Sequence, residues 1–368
     1  MTKMLFTIAG ALLAAGVLPT ASAAPTTVTV DCNRGQTIAT ALLQGDYRKP
    51  LIVNVRGTCN KSVLIDRDNV TLRGDPNATI NATNANTDVI TVEGNGTRLE
   101  NLTLSGGYYG VRNNQVFRLM VANCVIQDTT SDGIRSFAGD TRVSGTTVQR
   151  AGGNGVYLTR GSTLGASSNS QFRNNANAGI YGFGNSTVAV SGSTISGNVT
   201  GVLLGNGSEG TFSDNTISGN SGVGITLASS QASIGAGNVI SNNAIWGVWV
   251  YSGSLATIYG NTISDNGADG VNGYLGTTLV MNENQVTGNA GFGIACTMNC
   301  TMELNTHTLE NNAAGGIFVA QGTKLMLIGT IHSTGSGWGL QCDDKESSVG
   351  GLGFLDGTVS ETCTDFNN

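Results

Sequence analysis

Arginine and aromatic residues recur at fixed positions through the middle of this 368-residue sequence. They are counted from a glycine that returns about every 23 residues. The second position after it includes Arg112, Arg135, Tyr157, Tyr181 and Trp249, and the fourth includes Phe183, Tyr251 and Tyr274. Flat aromatic faces beside arginine and amide groups suit sugar rings, which offer C–H faces and polar edges. These residues therefore predict a polysaccharide-binding surface, with an anionic sugar bound at the end where the arginines lie.

Acidic residues beside the first arginines suggest a second chemistry. Asp128 and Asp132 precede Arg135, and Arg112 lies one repeat earlier. Two suitably spaced carboxylates can hydrolyse a glycosidic bond, and an arginine beside them could hold or deprotonate a uronate. The alternative is structural, because Asp132 and Asp269 occupy equivalent positions before the glycine, where aspartate often caps a turn. The sequence thus gives Asp128, Asp132 and Arg135 as catalytic candidates and leaves both interpretations open.

The glycine repeat must position all of these side chains. Eleven successive repeats carry glycine followed by Val, Ile or Leu at the same position, from Gly110-Val111 to Gly339-Leu340, at intervals of 22 to 24 residues. Apolar residues alternate after it: Ile225 and Leu227 share one face and Thr226 takes the other, which indicates a strand. Turns rich in Gly, Asn and Ser divide each repeat into about three short strands and leave no room for a crossover helix. Each strand must therefore stack on its counterpart one repeat later.

This pattern resembles the right-handed parallel β-helix superfamily, the pectate-lyase-like proteins, over most of the mature chain. The resemblance implies an all-β, single-domain right-handed parallel β-helix, a solenoid of about three short strands per coil of ~23 residues, with a short N-terminal helical cap. The superfamily carries many activities, so the fold alone does not imply one.

Asparagine also returns once per repeat, at the end of segments such as NTISGN (215–220) and NTISDN (261–266). Stacked identical amides can hydrogen-bond along the axis of an assembly, but asparagine also tolerates left-handed turn conformations. Both interpretations are structural, and both apply to Asn175, Asn198, Asn220, Asn243, Asn266, Asn289 and Asn312.

Known catalytic signatures of the superfamily are missing. Asn86-Thr87-Asp88 resembles the Asn-Thr-Asp of polygalacturonase-type hydrolases, but no paired Asp lies about one coil later and the Gly-His-Gly is absent. The pair Asp343-Asp344 lies far away, at the C-terminal end. The Asp-Pro-His-Asp of alginate epimerases and the Arg-x-Pro-x-x-Arg of pectate lyases are absent too. Polysaccharide binding is therefore the preferred function. A polysaccharide lyase or glycoside hydrolase, and a structural surface or adhesion protein, are the alternatives, and whether the chain is an enzyme stays open.

The chain divides into four segments. Residues 1–23 are predicted to be a secretory signal, with Lys3 before an apolar stretch and small residues at a cleavage site near Ala23. Residues 24–105 follow as an N-terminal cap, with a helix at 36–44, and irregular first coils. Residues 106–343 are the regular repeats and 344–368 a C-terminal cap. We expect a secreted, periplasmic or cell-surface protein without a transmembrane segment.

The seven cysteines indicate disulfide bonds. Proximity in an exported chain predicts the disulfides Cys32–Cys59, Cys296–Cys300 and Cys342–Cys363, with Cys124 left as a buried thiol. No spacing indicates a metal site, and no cofactor is expected.

Charge is distributed unevenly along the chain. Residues 25–173 hold fifteen Lys/Arg and eleven Asp/Glu, a net charge of +4, and residues 174–368 hold two Lys/Arg and thirteen Asp/Glu, a net charge of −11. The basic half favours anionic ligands, the overall acidity argues against nucleic acid, and the sequence does not indicate an oligomeric state.

Overall fold

The computed structural model describes residues 24–335, 337–343, 346–351 and 353–359. The predicted signal peptide and Cys363 lie outside these residues. Within them, the helical elements are a 3-10 turn at Cys32–Arg34 and an α-helix at Ile38–Leu42. The strands pair in parallel from coil to coil, which confirms the all-β solenoid expected from the repeat.

One sheet takes a single strand from each successive coil. It is called the narrow sheet below. Among the described residues its thirteen strands are Val63–Ile65, Ile90–Val92, Val111–Asn114, Ile134–Phe137, Val156–Thr159, Ala178–Phe183, Thr200–Gly205, Ile225–Ala228, Val248–Tyr251, Val271–Tyr274, Phe292–Thr297, Gly315–Ala320 and Trp338–Cys342.

The second sheet, called the broad sheet below, takes two short strands from most coils, or one long strand that spans both positions. Its 25 strands in the described residues are Thr26–Asp31, Leu51–Arg56, Thr58–Cys59, Val70–Ala82, Arg98–Gly106, Leu119–Ala122, Val125–Gln127, Asp140–Ser144, Thr147–Gln149, Thr163–Ser167, Gln171–Arg173, Thr187–Ser191, Thr194–Ser196, Glu209–Ser213, Thr216–Ser218, Gln231–Ile234, Val239–Ser241, Leu255–Tyr259, Thr262–Ser264, Thr278–Thr287, Thr301–Glu310, Lys324–Leu327, Thr330–Thr334, Ser348–Gly351 and Phe354–Asp356.

The residues that follow the repeat glycines form one column inside the narrow sheet. Each pairs with its counterpart one coil later, from Val111 opposite Ile134 to Ile317 opposite Leu340. All eleven are at most 3% exposed. Burial of this apolar surface is the main favourable term in folding, so the column is the centre of the core, as the repeat predicted.

Close approach between coils explains the glycine. The backbone of Gly224 does not adopt a positive φ, so conformational freedom is not the reason for it. A Cβ atom placed there would lie 2.5 Å from the carbonyl oxygen of Gly247, 2.8 Å from Cγ2 of Ile240 and 2.9 Å from Nδ2 of Asn243. Any side chain would push the next coil away, so the interval of the glycine records the coil length.

Seven buried asparagines form a hydrogen-bonded ladder beside this column. From Asn198 onward, each Oδ1 accepts from the backbone N–H and Nδ2 of the ladder residue one coil earlier. The Oδ1 of Asn175 accepts from the backbone N–H of Ala151. For Asn243 the distances to Asn220 are 3.2 and 2.8 Å. Its Nδ2 group donates onward to Asn266 and to the carbonyl of Ile217. The ladder runs through Asn175, Asn198, Asn220, Asn243, Asn266, Asn289 and Asn312.

The alternative interpretation of these asparagines is wrong. The left-handed conformation falls on the residue before the ladder position, as in Asn242 with φ of 55° and Asp265 with φ of 57°. The ladder residues themselves do not adopt positive φ. Asparagine therefore recurs at this position from coil to coil because of the shared amide hydrogen bonds, not because of turn conformation.

A second ladder lies at the other end of the same six-residue segments, where the sequence analysis predicted none. Asn215, Asn238, Asn261 and Asn284 repeat the same amide pattern. His307 ends it, because its Nδ1 accepts the backbone N–H of Asn284 at 3.2 Å. The four segments that begin with these asparagines thus carry a buried amide at both ends, and the two ladders hold both strands of the broad sheet in register.

A short helical cap covers the N-terminal end of the core, as expected. Thr37 caps the helix Ile38–Leu42 by accepting from the backbone N–H of Thr40 at 3.2 Å. Ile38, Ala41 and Leu42 are buried against the first coils. The predicted apolar face is therefore present, although the helix is shorter than the predicted span of 36–44.

Buried Arg67 ties the loop after this helix to the first coils. Its guanidinium donates to the carbonyl oxygens of Gln44, Asp46 and Lys49 at 2.7, 2.6 and 3.0 Å. It also stacks on the ring of Tyr47 at 4.5 Å. A buried charge is tolerated here because several carbonyl dipoles solvate it.

Two of the expected disulfides lie within the described residues. Cys32 is bonded to Cys59 and Cys296 to Cys300, with Cα–Cα distances of 5.1 and 5.9 Å. Cys342 is also disulfide-bonded, and the pairing with Cys363 stays a prediction because Cys363 lies outside the described residues. Cys124 is a buried free thiol, and burial raises its pKa to about 12.

The solenoid continues past residue 343. Ser348–Gly351 pairs with Lys324–Leu327, and Phe354–Asp356 pairs with Thr330–Thr334. The described part of 344–368, expected to be a cap, therefore adds two strands to the broad sheet.

Replacing Asn243 with Ala should destabilise the protein by at least about 2 kcal/mol, because two buried donors of Asn220 and the carbonyl of Ile217 lose their partner. Thermal unfolding followed by circular dichroism measures the effect. Thr216→Ala, an exposed change on a neighbouring strand, is the control and should stay within about 0.5 kcal/mol of wild type. Equal melting temperatures for both variants would contradict the ladder.

Acid should weaken the protein through His307. Burial lowers the pKa of His307 to about 4 from its ordinary 6.5, so the folded state prefers the neutral ring. Its contribution is complete above pH 6.5 and is lost as the pH falls towards 4, by up to about 3 kcal/mol. His307→Asn, which restores the ladder side chain, should remove this loss from urea unfolding curves measured between pH 4 and pH 7.

The exposed His332 provides the matched control. His332→Asn should leave the acid-dependent loss of stability as large as in wild type. If His307→Asn and His332→Asn have the same pH dependence, the buried ring is not its source.

Candidate functional site

The arginine and aromatic residues singled out by the sequence form continuous rows on the outer face of the narrow sheet. In the row at the second position after the glycine, Arg112 is opposite Arg135, Arg135 is opposite Tyr157, and Tyr157 is opposite Tyr181. The row then continues through Leu203 and Thr226 to Trp249. Successive side chains are about 4.8 Å apart along the axis of the β-helix. These outward rows, from Arg112 to Tyr274, therefore form a strip parallel to that axis and are called the strip below.

Arg135 is the most constrained member of this face. Its guanidinium carbon lies 3.8 Å from the ring centroid of Tyr157 and 5.7 Å from that of Tyr109. Its Nη1 donates to Oδ2 of Asp132 at 3.0 Å. Cation–π contacts on two rings and a charge-assisted hydrogen bond fix the planar group in one orientation.

Asp132 has a structural role besides this ion pair. It is 2% exposed, and its Oδ1 accepts from the backbone N–H and Nδ2 of Asn154 on the next coil at 2.8 and 2.9 Å. Asp269 repeats this arrangement with the backbone N–H of Phe292 and the amide of Asn272. The turn-capping interpretation therefore describes the observed contacts of Asp132.

Asp128 does not join this group. It lies after a strand of the broad sheet, and its two carboxylate oxygens accept from Nε and Nη2 of Arg150 at 2.7 and 2.9 Å. The hydrogen bonds to Arg150 hold the pKa of Asp128 below its ordinary value. Asp128 and Asp132 thus have separate partners, and the hypothesis of a carboxylate pair beside Arg135 is not supported by these contacts.

Arg112 offers a more accessible cation one coil before Arg135. Its side chain is 47% exposed, and the nearest carboxylate oxygen, Oδ2 of Asp88, lies 3.8 Å from Nη1. That separation is too long for a hydrogen bond. The guanidinium of Arg112 therefore keeps donors available for an anionic group.

The aromatic residues form two clusters along the strip. In the first cluster, Tyr157 stacks on Tyr181 with ring centroids 4.8 Å apart, and Tyr181 meets Phe183 edge-on at 5.9 Å. In the second cluster, Trp249 stacks on Tyr251 at 4.1 Å and contacts Trp246 at 4.8 Å.

These rings are partly exposed rather than fully exposed. Tyr157, Tyr181, Trp249 and Tyr251 are half-buried by one another, whereas Phe183 and Tyr274 are 37% and 39% exposed. Tyr274 follows Tyr251 in register on the next coil. The predicted row is thus in line, and its rings show faces and edges to solvent.

Two members of the face were missed in the sequence. Tyr109 and Trp246 occupy the position immediately before the repeat glycine, the position also held by Asp132 and Asp269. Tyr109 lies beside Arg135, and burial raises its pKa, an effect that Arg135 opposes. The position before the glycine flanks the row in every coil, so the sequence pattern also indicates that aromatic residues at this position lie on the same face.

The comparisons with known proteins concern the fold. The family model for the right-handed β-helix region matches residues 53–208 and 178–334. These matches cover more than half of the chain, so the protein belongs to the right-handed β-helix family. No curated protein sequence matches it significantly.

Among solved structures, the chain is similar to the A-module of the mannuronan C-5 epimerase AlgE4 from Azotobacter vinelandii. The TM-score is 0.58 at 14% identity, with 86% of this chain and 90% of that chain covered. The periplasmic alginate epimerase AlgG gives a TM-score of 0.48 at 15% identity over 90% and 84% of the two chains. The Dettilon tailspike protein gp208 gives 0.45 at 16% over 81% and 62%. At 14% identity, the similarity to the AlgE4 A-module establishes a shared fold and no more.

Two searches for other kinds of site were negative within the part of the chain that the structure describes. No helix there has the length and apolar character needed to cross a bilayer. No group of three or more His, Cys, Asp and Glu side chains there is arranged to bind a metal ion.

The contacts of the two aspartates predict different effects of neutralisation. Asp132→Asn should lower stability by at least about 1 kcal/mol, because a buried carboxylate that accepts charged and neutral hydrogen bonds is lost. Asp128→Asn should change stability little, because its ion pair with Arg150 is exposed. Thermal melts compare the two variants, and a larger loss for Asp128→Asn would contradict the capping role of Asp132.

Proposed function

We propose that this protein binds polysaccharide along the outer face of its narrow sheet, with the chain of sugars lying parallel to the helix axis. The observation that carries the proposal is the outward row from Arg112 through Arg135 and Tyr157 to Tyr181, in which each residue pairs in register with the next. Aromatic faces and a fixed guanidinium repeat at the coil spacing. A linear polymer can contact such a strip at several successive positions.

The chemistry of the strip changes along its length. At the N-terminal end, Arg112 and Arg135 supply positive charge, and only Arg135 is held by a carboxylate within hydrogen-bond distance. Towards the C-terminal end, Trp249, Tyr251 and Tyr274 supply apolar faces. We expect acidic groups of the polymer at the first end and sugar faces stacked along the second, so an acidic polysaccharide is the favoured ligand.

Export fits this function. The predicted signal at residues 1–23 and the disulfides Cys32–Cys59 and Cys296–Cys300 favour an oxidising compartment outside the cytoplasm. The protein would then meet polysaccharide in the periplasm, at the cell surface or in the medium.

A second candidate, a lyase or glycoside hydrolase, is favoured by one observation. The pair of Asp132 and Arg135 lies beside the phenol of Tyr109, which supplies a carboxylate, a cation and an acid in one place. Burial raises the pKa of Tyr109, so the phenol carries a proton near neutral pH but is a weaker acid than an ordinary tyrosine. Asp132 is occupied by Asn154 and Arg135, which makes it a weak base candidate and leaves binding as the preferred function.

Removal of an aromatic contact should weaken binding without unfolding the protein. Trp249→Ala should raise the dissociation constant for the best ligand of a glycan array by about three- to tenfold, the effect of roughly 0.5–1.5 kcal/mol from one aromatic contact. Isothermal titration calorimetry measures it. Tyr259→Ala, an exposed aromatic on the broad sheet, is the matched control and should bind like wild type.

The remaining functions separate in the same experiment. Arg112→Ala should weaken an acidic ligand and reduce its salt dependence, whereas Arg142→Ala on the broad sheet should do neither. Formation of reducing ends or unsaturated uronates, lost in Arg135→Gln, would support the enzyme. Full affinity in a variant that combines Trp249→Ala with Tyr181→Ala would exclude the strip as the site and leave the structural or adhesion role.

A further inference from the structure

We infer that Gly205 is a positioning residue, whose missing side chain joins the two aromatic clusters into one continuous platform for an extended polysaccharide. The inference rests on the proposed function and specifies its ligand: a chain long enough to span both clusters, not a short oligosaccharide. It adds to the site a residue that has no ligand-binding group of its own.

In the row of Phe183, two coils with small side chains separate the clusters, whereas Leu203 and Thr226 hold the neighbouring row. Opposite the row of Phe183, the next two coils place Gly205 and Ala228 before Tyr251 returns. If these positions carried large residues, a ridge would separate the clusters. Gly205 and Ala228 instead leave a shallow gap at the centre of the strip.

Tyr181 and Phe183 lean into this gap. From the position where a Cβ of Gly205 would stand, the nearest atoms are Cδ2 of Phe183 at 3.4 Å and Cε2 and Oη of Tyr181 at 3.7 and 3.8 Å. Tyr181 belongs to the neighbouring row of the preceding coil, so its ring crosses diagonally onto the coil of Gly205. Gly205 is buried although it lies on the outer face, because these rings cover it.

The second cluster begins two coils after Gly205, where Tyr251 returns in the same row. No large side chain of this row therefore stands between Tyr251 and the rings of Tyr181 and Phe183 that cover Gly205. Burial and the nearby phenol of Tyr157 raise the pKa of Tyr181, and the phenol of Tyr251 adds to the same effect, which supports a platform shared by the two clusters.

Backbone conformation does not require glycine at this position. Gly205 ends the strand Thr200–Gly205 and does not adopt a positive φ. A methyl group would be in ordinary contact with the two rings, whereas a longer side chain would occupy the space of the Tyr181 ring and lift it. The platform that results from Tyr157 to Tyr251 covers four coil steps, or about 19 Å.

Binding as a function of ligand length tests the inference. The probes are a disaccharide and an octasaccharide of linear 1,4-linked hexuronate, with the corresponding glucose oligomers as neutral probes. Gly205→Leu should weaken octasaccharide binding about three- to tenfold, the effect of losing one aromatic contact, and leave disaccharide binding unchanged. Gly205→Ala is the matched control and should bind both lengths like wild type.

Two results would overturn the inference. One is octasaccharide binding by Gly205→Leu that equals that of Gly205→Ala. The other is an equal loss for both ligand lengths, which would place the defect within one cluster. If the wild-type protein binds none of these probes and no component of a glycan array, the proposed function is wrong. A measurement without ligand then tests whether the two clusters form one platform.

The ligand-free measurement is an NMR titration with tyrosine labelled at the ring Cζ, in which Tyr181 is assigned by Tyr181→Phe. Tyr251→Phe should lower the pKa of Tyr181, because a neighbouring phenolate no longer opposes its ionisation. Gly205→Leu should lower it too, because the lifted ring is more exposed. Tyr259→Phe should leave it unchanged. No change in either test variant would show that the two clusters are not joined.

Discussion

The structure depends on how closely one coil can lie on the next. At the repeat glycine, the backbone of the following coil comes within 2.5 Å of where a Cβ would stand, and buried amides on either side bond across the same interface. A buried amide left without a partner costs more than the hydrogen bond contributes, so every coil must return with the same register. The apolar column from Val111 to Leu340 follows from that constraint, because a one-residue slip would turn its side chains to the surface.

The same constraint decides where function can lie. Inward positions are committed to the core, and turn positions carry the ladders or left-handed residues such as Asn242. Only the outward rows can vary without loss of register. On the narrow sheet those rows carry Arg112, Arg135 and Tyr157 in direct succession, and strand pairing holds their spacing more rigidly than a loop could. A rigid strip of this kind reduces the ordering cost of binding an extended ligand.

The sequence was sufficient to predict features that depend on one residue per coil. The glycine interval predicted the column and the outward rows, and the recurrence of asparagine offered the first ladder as one of two interpretations, because each is a strict repetition along the chain. It was insufficient where a contact joins different positions of neighbouring coils. Asp128 and Asp132 are four residues apart, yet a turn separates them and directs Asp128 to Arg150. The second ladder was not predicted because its asparagines fill only four coils, between Ser193 and His307. The diagonal lean of Tyr181 depends on a missing side chain one coil later.

Asp132 shows how the scaffold and the site are linked. One oxygen of its carboxylate caps the next coil through Asn154, and the other holds Arg135 against Tyr157. Asp269 uses the same two oxygens for Phe292 and Asn272, so this division is a general device of the coil rather than a catalytic adaptation. The aspartate fixes the orientation of the outward side chain, which is a cation at Arg135 and an amide at Asn272. The capping aspartate thus orients whichever polar group the outward row presents, and the identity of that group sets the chemistry that the coil shows to solvent.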